Sequence, residues 1–112
     1  MLNEKEIKKS RELLTRVDKN MVVAFKALSD VNRFRIFCTL VQHPKLSVTT
    51  LSKILDISLP LMSQHIKVLA HAHLVQKERT GKRIFSKLKY HDMVAQCITT
   101  AIKQLIKTKM LK

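Results

Sequence analysis

The chain has 112 residues, which is the length of one domain, and its 46% hydrophobic residues can bury a modest core. Its one glycine, Gly81, excludes the glycine-rich phosphate loops of nucleotide-binding proteins and argues against a turn-rich all-β fold. Twenty-two Lys and Arg residues against eight Asp and Glu residues give a net charge of +14, which favours a polyanionic partner.

The residues that are scarce narrow the choice of polyanion. Four Phe, one Tyr and no Trp are few for stacking on single-stranded nucleic acid or for anchoring on a membrane surface. No apolar run reaches the ~20 residues of a membrane span, and the amino-terminal residues do not resemble a secretory signal. We therefore expect a cytoplasmic protein that binds double-stranded DNA and no membrane.

The chain is predicted to begin with a helix over about 3–28. Asn3 followed by Glu6 resembles a capping box. Apolar residues then recur at helical spacing from Ile7 to Phe25. We expect this first helix to take part in dimerisation.

A second helix is predicted between two boundary residues. Asp30 is a good N-cap for it, and Pro44 ends it because proline cannot continue a helix. The residues predicted to form its buried stripe are Phe34, Phe37, Leu40 and Val41.

Two short helices joined by a few residues follow and predict a helix-turn-helix over about 47–70. Ser47 caps the first of them and Ser58 the second, in which Pro60 is tolerated in the first turn. The second helix of such a unit enters the major groove of DNA. The residues predicted to face the core are Val48, Leu51, Ile54 and Leu55 in the first helix and Met62, Ile66 and Leu69 in the second.

The period of the apolar pattern changes after this unit, which predicts a β-hairpin over about 74–88. Gly81 allows the positive φ that a tight turn requires. A final helix over about 91–110 carries a wide apolar stripe from Met93 to Ile106. Because this helix lies outside the helix-turn-helix, we expect the stripe to pair with a second copy of the chain.

Several of these segments resemble the ArsR/SmtB family of winged helix-turn-helix repressors. The resemblance covers about 22–90 and implies one domain over 1–112. It would be mainly helical with a small β-hairpin as the wing, and a homodimer through its first and last helices. It also implies a transcriptional regulator that binds an inverted repeat. The segments that carry the resemblance are 25–30 (FKALSD), 33–36 (RFRI), 46–51 (LSVTTL), 63–69 (SQHIKVL) and 79–83 (RTGKR).

The resemblance also implies which residues contact DNA. Leu59 stands where the family commonly has a polar base reader, so hydrogen-bonded readout is expected to fall on Ser63, Gln64 and Lys67, although Lys67 is more typical of a phosphate contact. His65 is expected to pack or to contact phosphate, and Lys53 contacts the backbone or serves solubility alone. The other expected DNA contacts are Ser58, Pro60, Arg79, Lys82 and Arg83.

Metal sensing is the family's best-known activity, but the metal-ligand inventory disfavours it. No cysteine lies in 46–56, and the last helix offers His91 and Asp92 without a further histidine. We expect no metal site and no cofactor. Cys38 occupies a position where redox-responsive members carry a cysteine, so Cys38 and Cys97 are candidates for a thiol switch; we favour the alternative that both only pack.

No enzymatic constellation is recognisable in the sequence. It has no paired carboxylates suited to acid–base chemistry and no signature of a Cys/His nucleophile pair. The alternative to operator binding is a basic module that binds RNA or an acidic protein without sequence specificity.

Overall fold

The structure, a computed structural model, describes residues 1–16, 19–89 and 92–110. Positions 17 and 18 of the predicted first helix, and His91 of the predicted last helix, lie outside the described residues. The elements in chain order are α1 (Glu4–Leu14), α2 (Lys19–Leu28), α3 (Val31–Gln42), β1 (Lys45–Ser47), α4 (Val48–Leu55), α5 (Leu59–His71), β2 (Val75–Thr80), β3 (Arg83–Leu88), α6 (Met93–Leu105) and a π-helical turn (Ile106–Met110).

The prediction of a single first helix is wrong, although its capping box is confirmed. Asn3 Oδ1 accepts a hydrogen bond from the Glu6 N–H at 2.8 Å, and Glu6 Oε1 accepts one from the Asn3 N–H at 3.3 Å. The helix ends at Leu14, because both the N–H and the hydroxyl of Thr15 bond to the Glu12 carbonyl and tighten the last turn. No residue of α1 is buried, so the apolar spacing predicted a helix but not the packing of that helix.

The helix boundaries around the helix-turn-helix are as predicted. Asp30, Ser47 and Ser58 each accept a hydrogen bond from a backbone N–H in the first turn of the helix that follows. Between α4 and α5 the chain turns at Asp56, which has left-handed backbone angles of φ 54° and ψ 51°. Asp tolerates this conformation better than most residues with a side chain, and the turn sets the direction in which α5 leaves α4.

The predicted hairpin is one part of a three-stranded antiparallel sheet in the order β1-β3-β2. The strand β1 was not predicted, because three residues after Pro44 are too short to show a strand pattern and their partner strand is distant in the sequence. Gly81 has φ +61° and is the first of the two residues that join β2 to β3. This confirms the predicted role of the glycine and fits a type II′ turn.

The core lies where α3, α4 and α5 meet the sheet, and α2 and α6 extend it by packing against α3. Most of the predicted stripe residues are buried, but Phe34 is 40% exposed and Ile54 is 53% exposed. The last helix is also packed more closely within its own chain than predicted, because one side of its apolar stripe is buried against the rest of that chain. The buried residues of that side are Ala95, Ile98, Ile102 and Ile106, whereas Met93 and Leu105 remain 76% and 51% exposed.

None of the helices in the described ranges is long and apolar enough to cross a membrane.

The stripe on α5 provides a test of this core. Leu69 is fully buried, whereas its neighbour Val68 is partly exposed on the same helix. We expect Leu69→Ala to lower the free energy of unfolding by about 2–5 kcal/mol, because it removes buried apolar contacts and leaves a cavity. The matched control, Val68→Ala, should change it by less than about 0.5 kcal/mol. Urea unfolding followed by circular dichroism measures both, and equal effects would contradict this packing.

Candidate nucleic-acid interface

The first turn of α5 is held by local interactions and is open to solvent. Ser58 Oγ accepts a hydrogen bond from the Leu61 N–H at 3.3 Å, and Pro60 lies in the first turn, where its missing N–H has no partner to lose. Both residues are exposed, as are Ser63 and Gln64 in the following turn. The amino-terminal half of α5 therefore presents polar groups outward, together with the exposed side chains of Leu59 and Leu61.

A cleft of about 460 Å³ separates this turn from the β2–β3 hairpin. We call it the wing cleft. Four of the predicted DNA contacts lie together along it, although they come from three separate elements. The residues that line it are Ser47, Val48, Thr49, Thr50, Lys53, Leu59, Ser63, Lys82, Arg83 and Ile84.

The wing cleft is electropositive. Lys53, Lys82 and Arg83 supply three cationic groups, and no carboxylate is among the residues that line the cleft. Cationic and hydroxyl groups on a concave surface are suited to the phosphate oxygens of a nucleic-acid backbone. The arrangement can therefore hold a polyanion between α4 and the hairpin.

Sequence reasoning missed two hydroxyl residues of this cleft, Thr49 and Thr50. They lie at the start of α4, where Ser47 Oγ accepts a hydrogen bond from the Thr50 N–H at 3.1 Å and the Ser47 hydroxyl donates one to Thr50 Oγ1 at 2.8 Å. The signal was present in the sequence, because Thr49, Thr50 and Lys53 stand one turn apart on the side of α4 away from its apolar stripe. Lys53 was predicted to contact DNA without the two threonines that share its face of α4.

The one acidic residue of the hairpin is used to hold the sheet together. Glu78 Oε2 lies 3.4 Å from Lys45 Nζ and 3.7 Å from Lys87 Nζ, so β2 is tied to both β1 and β3. The ammonium group of Lys45 also lies 5.0 Å from the centre of the Phe85 ring. The negative charge of Glu78 is therefore matched within the sheet, and the cations of the hairpin tip are left without it.

Three other predicted contacts lie outside the wing cleft. Gln64 is exposed on α5, and Arg79 is exposed on β2 opposite Ile84. Lys67 lines a different depression, near the carboxyl-terminal end of α5. The structure therefore does not bring Lys67 to the same surface as Lys82 and Arg83.

His65 is the predicted DNA contact that the structure turns inward. Its side chain is 12% exposed, and its Nδ1 lies 3.4 Å from Arg33 Nη1 and 4.0 Å from Asp30 Oδ2. Arg33 Nε in turn donates to the Ala27 carbonyl at 2.7 Å. This Arg33–His65–Asp30 cluster joins α5 to the corner between α2 and α3, so the evident role of His65 is to position α5.

Asp30 is ionised more readily than an ordinary aspartate. The hydrogen bond from the Arg33 backbone N–H, together with the charges of Arg33 and His65, lowers the pKa of Asp30 against the opposing effect of desolvation. A carboxylate at the N-cap of α3 is also favoured by the helix dipole. The cluster therefore depends on a charged Asp30.

The two cysteines are free and differ in exposure. Cys97 is exposed on α6, whereas Cys38 is partly buried on α3, and burial raises the pKa of the Cys38 thiol. This direction is the one expected from an apolar setting, and it makes Cys38 a weak nucleophile. A thiol switch through these residues stays a prediction. Within the described ranges, no three His, Cys, Asp or Glu side chains are grouped as metal ligands would be.

Known proteins were compared with the chain at the level of sequence. No family model matches it. The arsenical resistance operon repressor of Bacillus subtilis (strain 168) is 39% identical over 57 residues, which span 51% of this chain and 54% of that relative. The matched region is therefore about half the length of that protein.

Solved structures extend the similarity to most of the chain. Reduced HlyU from Vibrio cholerae N16961 is 25% identical, covers 95% of this chain and 98% of its own, and superposes with a TM-score of 0.70. The winged helix-turn-helix DNA-binding domain Mb0332 from Mycobacterium bovis, described as homodimeric and as a possible ArsR-family regulator, is 22% identical. It covers 100% of this chain and 94% of its own with a TM-score of 0.66. The fold of the chain is thus that of winged helix-turn-helix proteins.

The Asp30 carboxylate predicts a pH dependence of stability. Because its pKa is lower in the folded state, its contribution is fully present above the unfolded-state pKa of about 3.9. That contribution is lost as the pH falls through the folded-state pKa. We expect Asp30→Asn to lower the urea midpoint at neutral pH, and we expect its difference from the unsubstituted protein to shrink as the pH falls below about 3.9. Glu12→Gln, which changes an exposed carboxylate of α1, is the control and should show no such trend. A pH-independent deficit for Asp30→Asn would contradict this.

Proposed function

We propose that this chain, which is similar to an arsenical resistance operon repressor and to winged helix-turn-helix regulators of known structure, is a transcriptional regulator of the ArsR type, acting as a repressor, that binds an inverted repeat in double-stranded DNA as a homodimer. The observation that carries the proposal is the wing cleft, where Lys53, Lys82 and Arg83 lie beside the exposed first turns of α5 without a carboxylate among them. A repressor of this kind acts in the cytoplasm.

The geometry of α5 supports two kinds of proposed contact, one with base edges and one with phosphates. With α5 in the major groove, Ser63 and Gln64 face the base edges, where a glutamine amide can pair with adenine through two hydrogen bonds. The hairpin then lies along the flanking backbone, where Lys82 and Arg83 neutralise phosphates. Arg79 and Lys53 extend the same electrostatic contact. Specificity thus resides in α5 and most of the affinity in the cations around it.

A homodimer is supported by apolar surface that the chain itself leaves uncovered. Val22 and Phe25 on α2 are more than half exposed, and Met93 and Leu105 are exposed at the two ends of α6, a helix that contacts α2. Monomeric proteins rarely expose a large contiguous apolar patch. We infer that a second copy covers this surface, so that two α5 helices meet two half-sites of the operator.

Salt dependence tests the electrostatic part of this proposal. If a dimer neutralises about 6–10 phosphates, a plot of log K against log salt concentration should have a slope of about −5 to −9. We expect Lys82→Ala to weaken binding to all duplex sequences alike and to make the slope less negative by about 2, one for each copy in the dimer. Lys5→Ala, on α1, removes the same charge away from the wing cleft and should leave the slope unchanged. A flat salt response would overturn the proposal.

Base readout by Gln64 is tested separately. The test uses the DNA sequence that the protein prefers, which is obtained by selecting bound duplexes from a random pool. Gln64→Ala should weaken binding to that site by about 1–3 kcal/mol, because the hydrogen bonds to the base edge are lost. Binding to unrelated duplexes should not change. A gel-shift assay in which RNA competes with the duplex distinguishes operator binding from binding by a basic RNA-binding module. If Gln64→Ala weakened binding to all duplexes equally, Gln64 would not be a base-reading residue.

The dimer is tested on the exposed side of α6. Leu105→Asp should dissociate the dimer and abolish operator binding together, because it places a charge in the apolar interface. Ile98 is unsuitable for this test, since it is buried within its own chain. Lys103→Asp places the same carboxylate on the other side of the helix and should remain dimeric. Sedimentation velocity measures both variants, and a dimeric Leu105→Asp protein would contradict the interface.

A further inference from the structure

A cavity of about 740 Å³, larger than the wing cleft, opens beside α3. We call it the α3 cavity. Helix α3 forms one wall, the carboxyl-terminal end of α4 a second, and the start of the π-helical turn after α6 a third. Its apolar lining comes from Leu28, Val31, Phe34, Ile54, Leu55 and Ile106.

The α3 cavity explains two failures of the apolar pattern. Phe34 and Ile54 each lie on a helical stripe that predicts burial, yet both remain exposed because they face this cavity. The large apolar residue Val31, at the start of α3, is exposed in the same place. Apolar surface left in water in a concave site gains free energy when an apolar group fills it.

Arg35 is the one charged residue among those that line the α3 cavity. Arg35, Thr39 and Gln42 line it from α3, and no carboxylate is among the residues that line it. Within the described ranges the guanidinium group of Arg35 makes no ion pair with Asp or Glu. The Cys38 thiol also lines the cavity, and because burial raises its pKa it stays neutral there.

We propose that the α3 cavity binds a small amphipathic carboxylate, with an aliphatic or aromatic body against Phe34 and Ile54 and its carboxylate against Arg35. The volume lies within the ~300–1,000 Å³ of small-molecule sites, which are mostly apolar and fix their ligand with a few polar groups. A guanidinium group binds a carboxylate through paired hydrogen bonds.

Charge favours this ligand over a second copy of the chain as the occupant. A second copy brings a net charge of +14 toward Arg35. Among the segments with exposed apolar residues that it offers, α2 and α6 with the turn that follows carry Lys19, Lys26, Lys103, Lys107 and Lys109 and no acidic residue. Helix α1 also has exposed apolar residues, and its three glutamates are outnumbered by three lysines and one arginine. An anionic small molecule satisfies both the apolar wall and the unpaired guanidinium.

The site also touches the proposed DNA interface through one helix. Ile54 and Leu55 end α4, whose first residues line the wing cleft. Ligand binding itself does not rest on the proposed function, because it is measured on the protein without DNA.

Calorimetric titration of the full chain with decanoate, below its micellar concentration, tests the proposal. We expect saturable binding at one decanoate per chain. Arg35→Gln should weaken it about tenfold, because the charged partner of the carboxylate is lost. Arg11→Gln, which removes an equal charge from α1, should not weaken it. Decanol, which has the same chain length without the charge, should bind the unsubstituted protein and Arg35→Gln equally.

A second variant tests the apolar wall. Ile54 is exposed, so Ile54→Asp can be made without disturbing the core, and the new carboxylate should abolish decanoate binding. Absence of saturable binding, or equal affinities for the unsubstituted protein and Arg35→Gln, would overturn the proposal. A decanoate affinity that falls as the protein concentration rises would show instead that a second copy covers the α3 cavity.

Discussion

Burial of Met62, Ile66 and Leu69 fixes the rotation of α5 about its own axis, and the outward face of the helix follows from it. These three residues lie on one stripe against α3, α4 and the sheet. Because side chains one turn apart share a face, the same packing turns Ser63 and Gln64 to solvent. Neither residue needs a partner in the protein, so both are free to address a ligand. The base-reading role proposed for α5 thus depends on core packing.

The Arg33–His65–Asp30 cluster adds a polar constraint to this packing. It ties the middle of α5 to the corner between α2 and α3, at the edge of the apolar stripe. The apolar packing sets which face of α5 is buried, and hydrogen-bonded groups, which tolerate small displacements poorly, restrict the smaller shifts of the helix. Since α2 also supplies part of the surface proposed for dimerisation, the cluster lies between that surface and the proposed DNA interface.

The positive charge of the chain is large, and in the hairpin it is concentrated at the tip. In the hairpin the acidic residue, Glu78, is matched by Lys45 and Lys87 inside the sheet, which leaves Lys82 and Arg83 at the tip to face a polyanion. The same excess of cations repels itself in the free protein. A bound polyanion relieves that repulsion. The α3 cavity repeats the pattern on a smaller scale, with an unpaired Arg35 beside an apolar wall.

The sequence by itself determined the features that depend on local interactions. The caps at Asn3, Asp30, Ser47 and Ser58 and the positive φ of Gly81 involve residues within a few positions of one another, so their signatures are complete in the sequence. The helical stripes likewise predicted which side of α5 is buried. The order of the helices and the hairpin is therefore predictable from local patterns alone, whereas the winged helix-turn-helix architecture and the proposed DNA contacts were expected from the resemblance to a known family.

Only the tertiary structure decided the features that depend on distant partners. The strand β1 exists because β3, some forty residues later, offers it a free edge. His65 turns inward because Arg33 and Asp30 lie beside α5, and one side of α6 is buried because α2 and α3 receive it. Phe34 and Ile54 stay exposed because the described residues that border the space between α3 and α4, such as Ile106, leave it open. Periodicity states which face of a helix is apolar, but what covers that face is set by how the helices are arranged in space.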